Sequence, residues 1–537
     1  MAEFITFVSK QLNHHWAMIK RIKRFKDKHP FLFIMAIGML FRFVAVLFSK
    51  GFGMHDDHFL VIDPAQSWVD GGDYYRWLPA TEGNEGPQGH SLFYVGFHYL
   101  IFHFLQLFGI YDPQLKMYFV RTLHAMLSLL VISFGYRIAS LISERKTAYK
   151  VALLLSIYWF MPFIGVRNLV EAVTIPFLMY GTLILLRQEI IRKGNQPGYH
   201  ITSFLVAGFF LGIGFSVRYQ TIFYTGGLGL ALLILGNWKG MLSTAAGFIA
   251  SVVIFQGGID FIVWREPFAE LIAYVNYNIN HAYSYNTMPW YNYLIVIFGI
   301  LIPPLSVMLL FGYFSLWKKQ FLLFFAIFVF LVFHSAFPNK QERFIIPVLP
   351  MIMVLGLVGW ESWVAGSAFW HKNKKLLLSL WIVFWIFNLT LLFTVTPMYS
   401  KRARAEAMTY LKQYPAIKNI MIEDVNQRVI RFPPLFYLKQ WPHSYYFMKG
   451  NQYDELNRWL DWENPDRVPA FVLFYQPDNL DARVDSLKMF MPGLEFETYV
   501  KPSMMDRFIH WLNPVNANES IYIYRNTALI PDKKVKR

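Results

Sequence analysis

The chain contains no cysteine, so disulfides and thiolate metal sites are excluded. Charge is also scarce. Only 16% of the 537 residues are Asp, Glu, Lys or Arg, where a soluble domain averages about a quarter. Acids are the rarer sign, 34 against 50 basic residues, which leaves +16. A surplus of that size fits nucleic acid at first sight. In a membrane protein, however, Lys and Arg gather in cytoplasmic connections, and their distribution carries the information. No small-residue cleavage site follows the first apolar run, and residues 20–28 are strongly basic, so a removed signal peptide is not expected. Internal repeats and low-complexity segments are lacking too.

Apolar residues are what the chain has in excess, at 55%, with 19% aromatic. Runs of about 16–22 such residues recur between positions 31 and 395, the length of a membrane helix. The basic connections at 144–150, 187–193, 238–239, 317–319 and 371–375 are assigned to the cytoplasmic side. The sparse ones at 49–90, 165–169, 218–220, 258–291 and 337–343 are assigned outside. Parity then requires the run 91–107, which carries His98, His103 and Gln106, to lie at the outer interface or dip in without crossing. About eleven crossings remain, near 31–49, 118–141, 148–164, 170–187, 202–217, 221–236, 241–257, 292–314, 321–336, 344–363 and 376–395.

The expected fold is an all-α polytopic membrane protein with a C-terminal soluble α/β domain. Residues 1–30 form a basic cytoplasmic segment on the membrane face, 31–397 the membrane domain with an outer loop at 50–116, and 398–537 an extracytoplasmic domain. In that last part, 401–414 reads as a helix, and 470–475 and 521–524 read as strands.

Directly after the first apolar run stands His55-Asp56-Asp57-His58. Two adjacent carboxylates repel, which raises the pKa of one of them. A group poised this way can take a proton near neutral pH, as a general base must. A solvated acidic turn at a helix end is the plainer alternative. The four side chains together also have the ligand types for a divalent ion. Several arginines lie at outer helix ends, among them Arg121, Arg167, Arg218 and Arg343. Arg stays charged and grips phosphate with two donors. Singly, each reads as snorkelling or an ion pair, but five converging on one face point to an anionic ligand. Between 260 and 290, Trp264, Asn276, Tyr285 and Trp290 offer aromatic faces and amides that suit a sugar, against the alternative of an interfacial aromatic belt.

A family comes into view at 333–350. Phe333-His334-Ser335-Ala336-Phe337-Pro338-Asn339-Lys340-Gln341-Glu342-Arg343-Phe344, followed by Pro347-Val348-Leu349-Pro350, resembles the H-K-E-E-R-F…P signature of glycosyltransferase family 22. Asp56-Asp57-His58-Phe59, Phe41-Arg42, the Asp260…Trp264…Asn276 segment and Tyr285-Asn286…Pro289-Trp290 are similar to further family segments, in the same order. Asn339 and Gln341 depart from the usual His and first Glu, Asp57 replaces Glu, and Asn286 stands where glycine is common.

The resemblance implies a GT-C fold of membrane helices with catalytic loops on the lumenal or periplasmic side. It also implies inverting transfer of a sugar, mannose in the family, from a polyprenyl-phosphate donor to a lipid-linked or glycan acceptor. On that basis Asp56 is the expected base, with Asp57 orienting it. Lys340, Arg343, His334, Arg42 and Arg218 are expected to bind the donor phosphate. His55, His58, Trp264, Asn276, Tyr285, Trp290 and Glu342 are expected around acceptor and sugar. No cofactor is required, a divalent metal remaining an alternative, and the protein is expected to be a monomer. The partners are donor, acceptor and membrane lipid, with no nucleic acid. Absence of cysteine from an outer domain favours a bacterial inner membrane with a periplasmic site. Asn518-Glu519-Ser520, a glycosylation sequon, leaves the endoplasmic reticulum as the alternative. A transporter or flippase would carry its ionisable residues near the midplane, often with inverted repeats. A non-catalytic scaffold would tolerate loss of the acidic pair.

Overall fold

Uninterrupted apolar runs fold as helices because lipid offers the backbone no other hydrogen-bond partner. The computed structural model describes residues 20–21, 23–84, 86–284, 287–428, 430–456, 460, 464–514 and 518–531. The side chains of Asp56, Asp454 and Pro465 lie outside that description, as do residues 1–19 of the basic N-terminal segment. Among the described residues, six helices are long and apolar enough to cross a membrane: Pro30–Phe48, Pro113–Ile142, Val170–Lys193, Trp238–Trp264, Glu342–Gly366 and Lys374–Val395. The chain is an integral membrane protein.

The structure does not confirm eleven crossings. Where the apolar pattern continues through 148–164, the helix Arg145–Ile157 ends after 13 residues, about 20 Å, short of the roughly 30 Å hydrocarbon core. Asn292–Ile300 and Leu305–Ser315 form a pair bent by 119° around Pro303-Pro304, which cannot donate to a continuing helix. Leu92–Leu107, Ile201–Val217, Tyr219–Ile234 and Phe321–Ala336 are apolar but shorter. A hydropathy window averages across such breaks and cannot see them.

Contacts divide the chain into two compact units. The first comprises residues up to 46, 87–93 and 120–397. Its central element is Glu342–Gly366, whose apolar stretch is 94% buried, against 17% for Lys374–Val395 at the periphery. Without a hydrophobic drive between helices in lipid, close approach at small residues holds a bundle together. Leu305–Ser315 meets Leu349–Gly366 in this way: a Cβ on Gly312 would stand 1.8 Å from the Gly356 carbonyl oxygen.

The second unit comprises 47–86, 94–119 and the chain from 398 on. It holds a five-stranded sheet of β1 (Asn419–Asp424), β2 (His443–Met448), β3 (Phe471–Tyr475), β4 (Leu494–Val500) and β5 (Ile521–Asn526), in the order β2-β1-β3-β5-β4. The first three are parallel, and β5 runs antiparallel to β3 and β4. Every residue of β1 and β3 is buried, as expected for parallel strands covered on both faces. The expected strands at 470–475 and 521–524 and the expected helix at 401–414 are present as β3, β5 and Arg402–Leu411. Buried acids on β1 are matched by arginines: Glu423 pairs with Arg483, and Asp424 takes two bonds from Arg431 at 2.6 and 2.7 Å.

Gly312→Ala must push two helices apart and is expected to cost about 1–3 kcal/mol. Gly299→Ala, with nothing within 4 Å of its added Cβ, serves as the control. Thermal melting in detergent checks this: Gly312→Ala should melt several degrees lower and Gly299→Ala should not, and equal melting of the two variants would contradict it.

Candidate active site

In the first unit, three segment ends meet at one carboxylate. Glu171 is the second residue of Val170–Lys193, where the helix N-terminus favours an acid. It is fully buried. Arg218, the residue that ends Ile201–Val217, places Nη2 3.1 Å from Glu171 Oε1. Arg343 brings Nε to 3.8 Å of the same oxygen and donates from it to Gln341 Oε1 at 2.8 Å. Arg343 belongs to the 3-10 turn Glu342–Val348. Pro347 lacks the donor that would make this turn α-helical, and the α-helix starts only at Leu349. Both guanidiniums lie over the Phe344 ring, at 5.0 and 5.5 Å.

Lys340 and His334 complete the group through Tyr293. The Lys340 ammonium is 5.9 Å from the Tyr293 ring centre and donates to the Phe337 carbonyl. The His334 ring lies 6.4 Å from that of Tyr293, and its Nδ1 meets the Phe330 carbonyl at 2.8 Å. Burial lowers the Lys340 pKa from its ordinary value. The structure thus gathers four of the five residues expected at a donor phosphate.

Arg42 is not among them. Its guanidinium donates to Ser128 Oγ at 2.8 Å and to the carbonyls of Gly38 and Ser156 at 3.2 and 3.1 Å. No member of the Arg218–Arg343 group is bonded to it. Glu171, the partner that organises the group, stands among the outer charges of the sequence, but nothing in its spacing assigns it to Arg218 and Arg343.

The acidic turn belongs to the second unit. Gly51 pairs with Ser400 at φ +72°, and a Cβ there would meet the Ser400 carbonyl oxygen at 1.9 Å, so only glycine fits. Lys401 donates from Nζ to the Gly53 carbonyl at 3.1 Å and, with Arg404, lies over the Phe52 ring at 4.9 Å. His55 is exposed and packs on Phe59 and Phe432. The backbone of Asp56 lies in the short helix His55–Asp57, with its side chain outside the described residues. Asp57 is buried. His58 is buried as well, stacked between Phe52 and Tyr437, with Nε2 3.1 Å from Asp63 Oδ1. That packing holds His58 against the turn. Asp63 also accepts from Tyr75 Oη at 2.9 Å and from the Phe436 amide at 3.1 Å. Among the described residues, no three His, Asp or Glu side chains are grouped to hold a metal ion.

Of the other expected contacts, Asn276, Trp290 and Glu342 are exposed, while Tyr285 lies outside the described residues. Trp264 is half-buried and donates to Glu270 Oε1 at 2.9 Å. Glu270, which sequence reasoning passed over, is itself buried. It accepts from the Gly89 and His90 amides at 2.7 and 3.0 Å, clamping the strap 87–93. Asp260 in turn accepts from the Glu270 amide at 3.1 Å.

With that geometry in place, comparison adds three findings. The profile of the Alg9-like mannosyltransferase family matches residues 29–439. The structure resembles ArnT from Cupriavidus metallidurans bound to undecaprenyl phosphate, with TM-score 0.60 and 12% identity over 94% of this chain and 99% of that one. Apo ArnT from the same organism gives TM-score 0.58 and 13% identity over the same shares. That likeness shows a GT-C fold. No curated protein matches the sequence significantly.

Burial raises the Glu270 carboxyl from 4.5 to about 7. The folded chain therefore holds this proton more tightly than the unfolded chain does. The resulting stability is complete below about pH 4.5 and is lost as pH rises through about 7, on the order of 3 kcal/mol. Glu270→Gln, which mimics the protonated acid, should lose this dependence. Between about pH 5 and about pH 8 the wild-type melting temperature is expected to fall relative to the variant. Parallel curves would show that Glu270 keeps one charge state.

Proposed function

The chain belongs to the Alg9-like mannosyltransferase family, and from that premise we propose that it is an inverting glycosyltransferase moving mannose from a polyprenyl-phosphate donor to a lipid-linked or glycan acceptor. The observation that carries this reading is the group formed by Arg218, Glu171, Arg343 and Lys340. It brings three cations and one buried carboxylate together, with guanidinium donors of the kind that grip phosphate. A polyprenyl-phosphate sugar is a phosphodiester with one negative charge. The departing phosphate monoester carries more, about −1.5 to −2 near neutral pH. A fixed cationic group therefore favours the product side of the bond cleavage, where charge develops. ArnT's hold on undecaprenyl phosphate supports a polyprenyl carrier.

The step runs as follows. The acceptor hydroxyl gives its proton to Asp56 while its oxygen bonds to the anomeric carbon from the face opposite the phosphate. The bond from that carbon to the phosphate oxygen breaks, the polyprenyl phosphate leaves, and configuration inverts. Arg218, Arg343 and Lys340 stabilise the leaving group, with His334 beside them. Asp57, buried in the same turn, fixes the backbone that presents Asp56. His55, Trp264, Asn276, Tyr285, Trp290 and Glu342 contact acceptor and sugar. The reaction takes place outside the cytoplasm, with the short and bent apolar helices also counted among eleven crossings. Residues 398–537 lie on that same side, and the protein works as a monomer in a bacterial inner membrane. The sequon Asn518-Glu519-Ser520 keeps the endoplasmic reticulum membrane as the alternative location.

Purified protein given radiolabelled polyprenyl-phosphate mannose and a membrane extract should transfer label to a new lipid or glycan. Asp56→Asn should lower transfer by about 10²–10⁴ with its melting temperature unchanged, and Arg343→Gln should lower it by about 10²–10³. Full activity of Asp56→Asn would remove that residue from the role of base. Because guanidinium and ammonium groups neutralise the leaving phosphate, activity should survive a chelator. Loss that added Mg²⁺ or Mn²⁺ restores would assign the acidic turn to a metal.

A further inference from the structure

The second unit carries a helix whose apolar side is turned outward. Met504–Leu512 starts at Ser503, whose Oγ accepts from the Asp506 amide at 3.0 Å while the Asp506 carboxylate accepts from the Ser503 amide at 3.2 Å. It ends before Asn513, because Pro514 disfavours a helical residue in front of it. At roughly 100° per residue, Met504, Phe508, Trp511 and Leu512 share an arc about 100° wide. These four are 70%, 48%, 73% and 61% exposed. Asp506 and His510 stand on the other side of the helix. Asp506 is buried, and His510 Nε2 lies 3.2 Å from Glu519 Oε1.

A surface helix in water turns its apolar stripe toward its own core. Here the polar side is docked and four large apolar side chains point away, which marks a contact surface. The tether of the helix identifies what it meets. The Asp506 carboxylate accepts from the Lys401 and Arg402 amides at 2.9 and 3.1 Å. Next to them in the chain, the Ser400 amide donates to the Lys50 carbonyl at 3.2 Å. Lys50 stands two residues, about 7 Å of chain, beyond the apolar helix Pro30–Phe48. Residues 47–50, 400–402 and 503–512 all belong to the second unit. The start of Met504–Leu512 is therefore held where the chain leaves the bilayer. Arg402, Lys501 and Arg507, all exposed, supply the charge that suits a layer of headgroup phosphates. Trp511 is of the residue type that settles at that layer.

We propose that Met504–Leu512 is an interfacial anchor, which lies along the bilayer surface and buries Met504, Phe508, Trp511 and Leu512 among phospholipid acyl chains. Amphipathic helices of this kind sink about 5–10 Å into the boundary between headgroups and acyl chains. Arg507, at the edge of the stripe, keeps its guanidinium among the headgroup phosphates. The anchor attaches the C-terminal part of the chain to lipid and does not depend on the transfer reaction.

Because the chain has no cysteine, one introduced thiol places a nitroxide label at a single position. Full-length Met504→Cys, Phe508→Cys and Trp511→Cys, labelled and reconstituted in nanodiscs of phosphatidylethanolamine and phosphatidylglycerol, report their surroundings by EPR. All three side chains are exposed, so their replacement leaves the packed side of the helix intact. Oxygen concentrates in lipid, whereas a nickel chelate stays in water. Collision with oxygen should exceed collision with the chelate several-fold at all three positions. The order should reverse for Asp485→Cys, an exposed position on the helix Leu480–Lys488. More frequent collision with the chelate at the three stripe positions would place the stripe in water and overturn the proposal. Shielding of the stripe from both reagents would overturn it as well and assign the stripe to a protein partner or a second copy of the chain.

Discussion

The membrane unit turns on one ion-paired carboxylate. Glu171 is fully buried, and an acid buried among apolar helices is tolerated only when it is paired. Two arginines from distant parts of the chain supply the pairing. That requirement fixes the end of Ile201–Val217 and the 3-10 turn Glu342–Val348 beside the start of Val170–Lys193. Two guanidiniums thus share one carboxylate among the described residues. Architecture and chemistry therefore follow from the same electrostatic constraint.

The second unit obeys the same rule with the opposite outcome. Glu423 and Asp424, both buried on β1, each have their own arginine, so those charges are spent on the sheet. Asp63 is likewise taken up by Tyr75, the Phe436 amide and His58. These contacts, together with the aromatic rings around His58, stiffen the turn that carries the acidic pair. A general base profits from such support, since small errors of position in a reacting group are costly.

Much of this was legible in the sequence, and what was not has physical causes. The 333–350 signature marked Lys340, Arg343 and His334 because three functional groups lie within ten residues. Strands β3 and β5 were visible because their apolar and aromatic runs are bounded by polar segments. Partners separated by many residues were not visible: nothing in the spacing joins Glu171 to Arg218 and Arg343, or separates Arg42 from them. His58 looked like a ligand contact because histidine beside two acids does, and only the fold encloses it between Phe52 and Tyr437. Glu270 gave no signal, because its clamp on Gly89 and His90 is made through backbone amides, which no residue type advertises. The crossing count exceeded what helix lengths support because hydropathy is blind to where a helix ends.

The central claim is that the cations around Glu171 hold the phosphate of a polyprenyl carrier. Photo-crosslinking with a polyprenyl phosphate bearing a diazirine next to the phosphate, followed by peptide mapping, tests it most directly. The account predicts adducts on the aromatic residues of this group, Tyr293 and Phe344, that excess unlabelled carrier suppresses. Suppressible adducts confined to other parts of the chain, with Tyr293 and Phe344 unmodified, would contradict it.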